Sequence, residues 1–159
     1  MSPGGQFLMS PDNGDTGNDL LRGTNASDRY YFNAGDGQDV ITDHATNGVN
    51  ATSNGDAIQF GSGIDVAGIW LEKSAGALNI HYGTGDLVTI NNWETGAAEQ
   101  VEQIRAGDGS LLLNTQVDQL IQSMATFQAN HNGISWEQSL TWHGEETRAI
   151  LAANWQMAA

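Results

Sequence analysis

Residues 14–22 read GDTGNDLLR, residues 23–31 read GTNASDRYY and residues 34–42 read AGDGQDVIT, which are three versions of one nonapeptide. Each version places an apolar residue two positions after an aspartate, in the pairs Asp19 and Leu21, Asp28 and Tyr30, and Asp39 and Ile41. Glycine-rich turns adopt positive φ and expose carbonyl oxygens, and the apolar residue starts a short strand that faces inward. The repeat therefore predicts short strands joined by oxygen-rich turns.

The turns of these repeats are candidate calcium sites. A fourth and fainter copy is residues 55–58, GDAI, in which Asp56 precedes Ile58. Carboxylate and carbonyl oxygens are the hard ligands that Ca²⁺ takes. Alternatively, Gly-Asp clusters of this kind are ordinary turns that need no metal. The candidate calcium ligands are Gly14, Thr16, Gly17, Asp19, Asp28, Gly35, Asp36, Gly37, Asp39, Asp43 and Asp56.

The nonapeptide resembles the repeat of the RTX family, the haemolysin-type calcium-binding proteins with consensus GGxGxDxUx, where U is large and apolar. The resemblance implies a parallel β-roll in which each nonapeptide forms half a coil and Ca²⁺ lies in the turns between neighbouring coils. Asp19 and Asp39 are separated by two nonapeptides plus the additional residues Phe32 and Asn33. We therefore expect Asp19 and Asp39 to share one edge of the roll, and Asp28 to lie on the opposite edge.

Charge supports a cation-dependent fold. Nineteen acidic residues against five basic ones give a net charge of −14. Such a chain repels itself, so we expect the N-terminal half to be loosened without metal and to fold when a cation binds. The same charge argues against nucleic acid or an anionic membrane as a partner. An acidic surface that merely maintains solubility is the alternative interpretation. The chain has no cysteine, which excludes disulfides and thiol catalysis.

The middle of the chain alternates short apolar runs with glycine-containing turns. Period-two alternation, as in Leu78, Ile80 and Tyr82, predicts half-buried strands joined as hairpins. The predicted strands are residues 57–60, 69–73, 77–82, 87–91, 101–106 and 110–113. Residues 30–113 are similar to the haemolysin-type calcium-binding related domain that often closes RTX arrays. The resemblance implies a β-cap that continues the core of the roll.

The last third has helical periodicity. Thr115 with Asp118 suggests a helix start, and residues 130–133, NHNG, suggest its end. Ser135 with Gln138 predicts a second, short helix, and Gly144 separates it from a third. We expect the tryptophans of this segment to be buried against the β-cap. The resemblance also implies that this segment is the signal for export. The apolar face of the first helix consists of Val117, Leu120, Ile121, Met124 and Phe127, and the late tryptophans are Trp136, Trp142 and Trp155.

The expected fold class is therefore mainly β with C-terminal helices. A short parallel β-roll of residues 14–60 is continued by a β-cap of hairpins in residues 61–113 and by about three helices in residues 114–159. Residues 1–13 are interpreted as an excised edge or the remnant of an upstream repeat.

Motifs for catalysis are absent from the sequence, and we expect no enzymatic activity. There is no HExxH, GxSxG or cysteine nucleophile. One module associated with RTX proteins cleaves itself at an Asp-Pro bond, but both prolines of this chain, Pro3 and Pro11, follow serine, so that bond is missing. We expect the four histidines, His44, His81, His131 and His143, to lie at the surface or at edges. The carboxylates expected in turns or on solvent faces are Asp86, Glu94, Glu99, Glu102 and Asp108.

Three functional hypotheses from different classes remain, of which the third, a small hydrolase, is disfavoured by the absence of catalytic motifs. The first is a monomeric, calcium-dependent folding and secretion module at the C-terminus of a large RTX toxin or adhesin, exported to the extracellular space by a type I transporter. The second is an adhesin module that binds a glycan or a protein through exposed aromatic side chains, for which the candidates are Tyr30, Tyr31, Trp70 and Trp93.

Overall fold

The computed structural model describes residues 12–13, 20–22, 29–42, 57–83, 85–94, 101 and 103–156. These residues form two five-stranded sheets followed by three α-helices. The expectation of β-structure with C-terminal helices is confirmed at this level of detail. Seven of the predicted ligands, Gly14, Thr16, Gly17, Asp19, Asp28, Asp43 and Asp56, lie outside the described residues.

The first sheet has the order β1-β3-β5-β9-β10. Neighbouring strands are parallel from β1 to β9, and β9 pairs with β10 antiparallel. A further antiparallel bridge joins Leu111, in the last strand, to Gln156. The strands are β1 (Asp12–Asn13), β3 (Arg29–Phe32), β5 (Ala57–Phe60), β9 (Gln103–Arg105) and β10 (Leu111–Leu113).

The second sheet has the order β2-β4-β8-β7-β6. The pairs β2–β4 and β4–β8 are parallel, whereas β8–β7 and β7–β6 are antiparallel hairpins. A 3₁₀ turn at Val66–Gly68 precedes β6. The strands are β2 (Leu20–Arg22), β4 (Gln38–Thr42), β6 (Trp70–Ser74), β7 (Ala77–Tyr82) and β8 (Asp86–Ile90).

The first five strands alternate between the two sheets, because β1, β3 and β5 lie in one sheet and β2 and β4 in the other. In the parallel registers Leu21 lies opposite Ile41, and Tyr30 lies opposite Ile58. All four side chains are fully buried. The prediction that the apolar residue after each repeat aspartate faces inward is thus confirmed, including in the fainter fourth copy.

The three helices are α1 (Asn114–Asn130), α2 (Trp136–Trp142) and α3 (Gly144–Asn154). The predicted capping box of α2 is confirmed, since Ser135 Oγ accepts from Gln138 N and Ser135 N donates to Gln138 Oε1. The predicted start of α1 at Thr115 is wrong. Strand β10 runs directly into the helix, so Leu113 is both the last strand residue and the N-cap, and no side-chain cap is formed.

One hydrophobic cluster extends from Leu21 to Trp155 and includes side chains from both sheets and all three helices. Trp136 and Trp155 are buried as expected, but Trp142 is 62% exposed, so the expectation of three buried late tryptophans is wrong for Trp142. The helix α2 buries Trp136 and Ser139, which leaves the side of the helix that carries Trp142 in solvent. No helix among the described residues is long and apolar enough to cross a membrane.

Candidate functional site

Two glycine turns lie side by side at one end of the second sheet. Strands β4 and β8 are parallel, with Asp39 opposite Val88, so the turns that precede them meet at the same edge. Gly35, Gly37 and Gly85 have φ of 95°, 103° and 83°, conformations that favour glycine. The turn before β4 and the turn before β8 are held together by a hydrogen bond of 3.0 Å that Leu87 N donates to the carbonyl oxygen of Gly37.

Asp86 connects the two turns through its carboxylate. Oδ2 accepts a hydrogen bond of 2.8 Å from Gly35 N, and Oδ1 accepts one of 3.0 Å from Gly37 N. Charge-assisted hydrogen bonds of this kind are about twice as strong as neutral ones. Asp86 stands at the start of β8, directly after the turn in which it was expected, but only 5% of it is exposed, and this burial was not predicted. The carboxylate fixes the shape of the turn that carries the predicted ligands Asp36 and Asp39.

Gly83 gives Asp86 the space that its carboxylate occupies. A Cβ on Gly83 would lie 2.5 Å from Asp86 Oδ2 and 3.7 Å from the Cα of Ala34. Gly83 also has φ of 55°. The steric contact therefore excludes a larger residue at this position, and the left-handed conformation also favours glycine.

Asp36 and Asp39 belong to the same edge and are also buried, with 6% and 1% of each residue exposed. Asp36 Oδ2 accepts a hydrogen bond of 2.7 Å from Asn33 N, and Asp36 N donates to the Asn33 carbonyl oxygen at 3.1 Å. The pair of bonds closes a tight turn around the Asp36 side chain. Four predicted ligands, Gly35, Asp36, Gly37 and Asp39, are thereby brought together in one turn and the strand that follows it.

Tyr82 lies between this edge and the core. Its ring centroid is 4.8 Å from that of Phe60 and 6.4 Å from that of Phe32, and both phenylalanines come from the first sheet. Burial, followed by the negative carboxylates of Asp36, Asp39 and Asp86, raises the pKa of Tyr82 well above its usual value of 10.0. The buried hydroxyl makes no hydrogen bond to any of the residues that the structure describes. Tyr82 is thus a neutral phenol close to three carboxylates.

The described carboxylates of this edge, Asp36, Asp39 and Asp86, do not form a group of three with ligand atoms within 4.8 Å of one another. Among the described residues, the one set of three His, Asp or Glu side chains with ligand atoms within 4.8 Å of one another is His131, His143 and Glu146. Within the described residues, backbone carbonyl oxygens of the glycine turns are the further ligands that a calcium ion at the Asp36 and Asp39 edge could take.

Two features of the structure were not predicted from the sequence. Asp86 follows a Gly-x-Gly turn, residues 83–85, but it stands directly after the second glycine and not two positions later, so the nonapeptide pattern does not include it. His131 and His143 are half-buried, which agrees with the expected surface or edge positions, but the contact that each makes with Glu146 was not predicted. Of the other histidines, His81 is half-buried and pairs with Glu72, and His44 lies outside the described residues.

The predicted aromatic binding surface is largely buried. Tyr30 is fully buried and Trp93 is only 3% exposed, so the expectation that these two rings face solvent is wrong. Trp70 is half-buried and stacks on His81, with 3.8 Å between the ring centroids. Tyr31 at 37% and Trp142 at 62% are the large hydrophobic side chains exposed among the described residues.

No protein-family model matches the chain, and no curated protein sequence matches it.

Proposed function

We propose that this chain is a calcium-binding module of the RTX type, which folds when Ca²⁺ binds and has no catalytic role. The observation that carries the proposal is the pair of glycine turns held together by Asp86, with Asp36 and Asp39 buried at the same edge. Buried carboxylates beside backbone turns with positive φ supply oxygen ligands of the kind that Ca²⁺ prefers.

The proposed fold is a short parallel β-roll of residues 14–60, closed by the hairpins of residues 61–113. Its support is the alternation of β1 to β5 between two sheets and the parallel register of Leu21 with Ile41. That register follows from the spacing of the repeats, since each apolar residue stands two positions after its aspartate. It agrees with the proposal that Asp19 and Asp39 serve the same edge.

The residues of this edge fit a calcium ion by their chemistry. Asp36 and Asp39 offer carboxylate oxygens, and the turn that contains Gly35 and Gly37 offers carbonyl oxygens. Asp86 would act differently, since each of its oxygens already accepts a backbone N–H and holds the turn in place. Calcium takes six to eight oxygens, so we propose that the first repeat, residues 14–22, supplies further ligands.

The negative net charge explains why Ca²⁺ binding would favour the folded state. With a net charge of −14, the folded chain is destabilised by self-repulsion, and each bound Ca²⁺ reduces the net negative charge by two. Binding free energy then becomes folding free energy. On the same grounds we propose that nucleic acid is not a partner and that the module is monomeric.

A calcium titration of the whole chain tests this proposal. Ca²⁺ is expected to increase β-structure in circular dichroism and to give a binding isotherm by calorimetry, with Mg²⁺ much less effective because it retains water in a tighter octahedral shell. Asp39→Asn is expected to weaken the calcium affinity by at least about 10-fold, since affinity depends on the number of charged ligands.

Asp65→Asn is the matched control, because Asp65 is an exposed turn carboxylate that accepts from Gly68 N at 3.3 Å. Its calcium affinity is expected to equal that of the unaltered chain. Absence of heat and of any spectral change up to roughly 10 mM Ca²⁺ would overturn the proposal, because even weak extracellular calcium modules are saturated there.

We further propose that the chain acts outside the cell after export by a type I transporter. Low cytosolic calcium would leave the acidic repeats unfolded for passage, and millimolar extracellular calcium would drive folding after release. The proposed export signal is the helical segment that follows β10. A fusion that carries residues 116–159 is then expected to be secreted by the cognate transporter, whereas a fusion that ends at residue 113 is not. Secretion of both fusions, or of neither, would contradict this assignment.

A further inference from the structure

Two histidines and a glutamate converge where the three helices meet. His131 caps the C-terminal end of α1, His143 lies between α2 and α3, and Glu146 is in the first turn of α3. Their ligand atoms lie within 4.8 Å of one another. His143 and Glu146 are three residues apart at the start of α3, and His131 approaches them from the end of α1, so the convergence depends on how these helix ends pack together.

The spacing of the donor atoms fits a small tetrahedral ion. Glu146 Oε1 lies 3.1 Å from His143 Nδ1 and 3.7 Å from His131 Nε2. With metal–ligand distances of about 2.0–2.2 Å, two ligands of a tetrahedral Zn²⁺ ion lie about 3.4 Å apart. The two observed distances lie on either side of that value, so modest shifts of side chains would complete the geometry.

The orientation of His131 is fixed by a second contact. Its Nδ1 lies 2.8 Å from the carbonyl oxygen of Phe127, and a carbonyl can only accept, so Nδ1 donates to Phe127 and Nε2 is the nitrogen that faces Glu146. A histidine that donates to a backbone carbonyl through one nitrogen and binds metal through the other is the usual arrangement in protein metal sites. The Phe127 ring stacks on His131 with 4.0 Å between centroids and holds the imidazole in place.

We propose that His131, His143 and Glu146 form a binding site for a transition-metal ion, with Zn²⁺ the ion that fits best. Imidazole nitrogen suits Zn²⁺ and its neighbours in the first transition row, whereas Ca²⁺ takes oxygen ligands, so this site is separate from the calcium edge in chemistry. The side chain of Glu146 is 56% exposed, which leaves room for water as the fourth ligand. The ion ties the end of α1 to the junction of α2 and α3.

The first test is a Zn²⁺ titration of the whole chain, kept in saturating Ca²⁺ so that the acidic sites are occupied. One Zn²⁺ ion is expected to bind per chain by calorimetry, and Co²⁺ is expected to give the intense visible absorption of a tetrahedral site. Purely octahedral Co²⁺ spectra, or Zn²⁺ binding that excess Ca²⁺ abolishes, would overturn the proposal.

Variants then locate the ion. Glu146→Gln and His131→Gln are each expected to weaken Zn²⁺ binding by at least about 10-fold, the loss that even outer contacts of a metal site cause. His81→Gln is the matched control, because His81 also pairs with a glutamate, Glu72 at 2.8 Å, and belongs to no three-ligand group of described residues. Equal loss of affinity in the control and in the two test variants would contradict the assignment.

A measurement on the unaltered chain covers the case in which a variant fails to fold. In ¹⁵N spectra of the imidazole nitrogens, Zn²⁺ is expected to shift Nε2 of His131 and one nitrogen of His143, while both nitrogens of His81 stay in place. If the His131 and His143 signals do not respond to one equivalent of Zn²⁺, the two histidines contact Glu146 without binding a metal ion and the proposed site does not exist.

Discussion

Asp86 Oδ2 accepts a hydrogen bond of 2.8 Å from the backbone N–H of Gly35, a residue 51 positions earlier in the chain. The bond joins the glycine turn before β8 to the glycine turn before β4. Through it, a residue of the predicted cap determines the shape of the turn that holds Asp36 and Asp39. The cap and the repeat are therefore coupled at the proposed calcium edge as well as in the hydrophobic core.

Asp86→Asn is expected to destabilise the fold. A carboxamide has one oxygen in place of two, so either Gly35 N or Gly37 N would face an NH₂ group, and the charge that strengthens both bonds is lost. We expect a loss of about 2 kcal/mol in the free energy of unfolding, measured by urea denaturation in calcium. Asp65→Asn serves as the control for removing one exposed negative charge, and an equal loss in both variants would contradict the role assigned to Asp86.

Gly83→Ala is expected to cost more stability than Gly76→Ala. Both glycines have positive φ, 55° and 82°, so both variants strain the backbone by roughly 1–2 kcal/mol. Only at Gly83 does the added Cβ meet another group, the Asp86 carboxylate at 2.5 Å, whereas nothing lies within 4 Å at Gly76. Thermal unfolding compares the two directly. Identical midpoints would show that the contact with Asp86 imposes no constraint.

Tyr82→Phe is expected to make the protein more resistant to alkali. The pKa of Tyr82 is higher in the folded state than the usual value of 10.0 that applies in the unfolded chain. Below pH 10 the phenol is neutral in both states, and as the pH rises further the unfolded chain loses the proton first, so the free energy of unfolding decreases. Phenylalanine does not ionise, and the variant should therefore unfold at higher pH in a circular dichroism titration. Tyr31→Phe, at an exposed position, should leave the alkaline midpoint unchanged.

A larger alkaline shift for Tyr31→Phe than for Tyr82→Phe would contradict this prediction. At neutral pH the Tyr82→Phe variant is expected to be about as stable as the parent, because the hydroxyl has no hydrogen-bond partner among the described residues to lose.

Trp136→Ala and Trp155→Ala are expected to unfold the sheets together with the helices. Both rings are buried in the common hydrophobic cluster, at 2% and 3% exposure, and truncation of a buried aromatic side chain costs roughly 3–5 kcal/mol. Because metal binding and folding are linked, calcium affinity should fall in both variants. Trp142→Ala removes a ring that is 62% exposed and is the matched control, with little change expected. Unchanged calcium affinity in the two core variants would show that the helices fold independently.

The apolar pattern predicts the strands and helices well, because burial of one face requires the periodicity that is read from the sequence. Leu78, Ile80 and Tyr82 alternate as expected and are all buried. The start of α1, in contrast, was not predicted correctly. Thr115 has the chemistry of a cap, but strand β10 fixes the backbone up to Leu113, so tertiary structure overrides the local signal.

Residues of the candidate sites are identified from the sequence only where a repeat contains them. Gly35 to Asp39 form one continuous turn and strand, and the repeat identifies them directly. Asp86 joins that turn from a distant strand, and Glu146 meets His131 only because α1 and α3 pack together. Sequence spacing carries no information about such contacts, since they depend on how the elements are placed in space.

The bridge between Leu111 and Gln156 has a consequence for the surface of the folded protein. Leu111 N donates to the Gln156 carbonyl oxygen at 2.9 Å, and Gln156 N donates to the Leu111 carbonyl oxygen at 2.7 Å. Strand β10 is the outermost strand on its side of the first sheet, and an unpaired outer strand offers its peptide groups to any extended peptide that approaches. Gln156 occupies that position on β10, so the chain itself competes with strand addition by a second molecule.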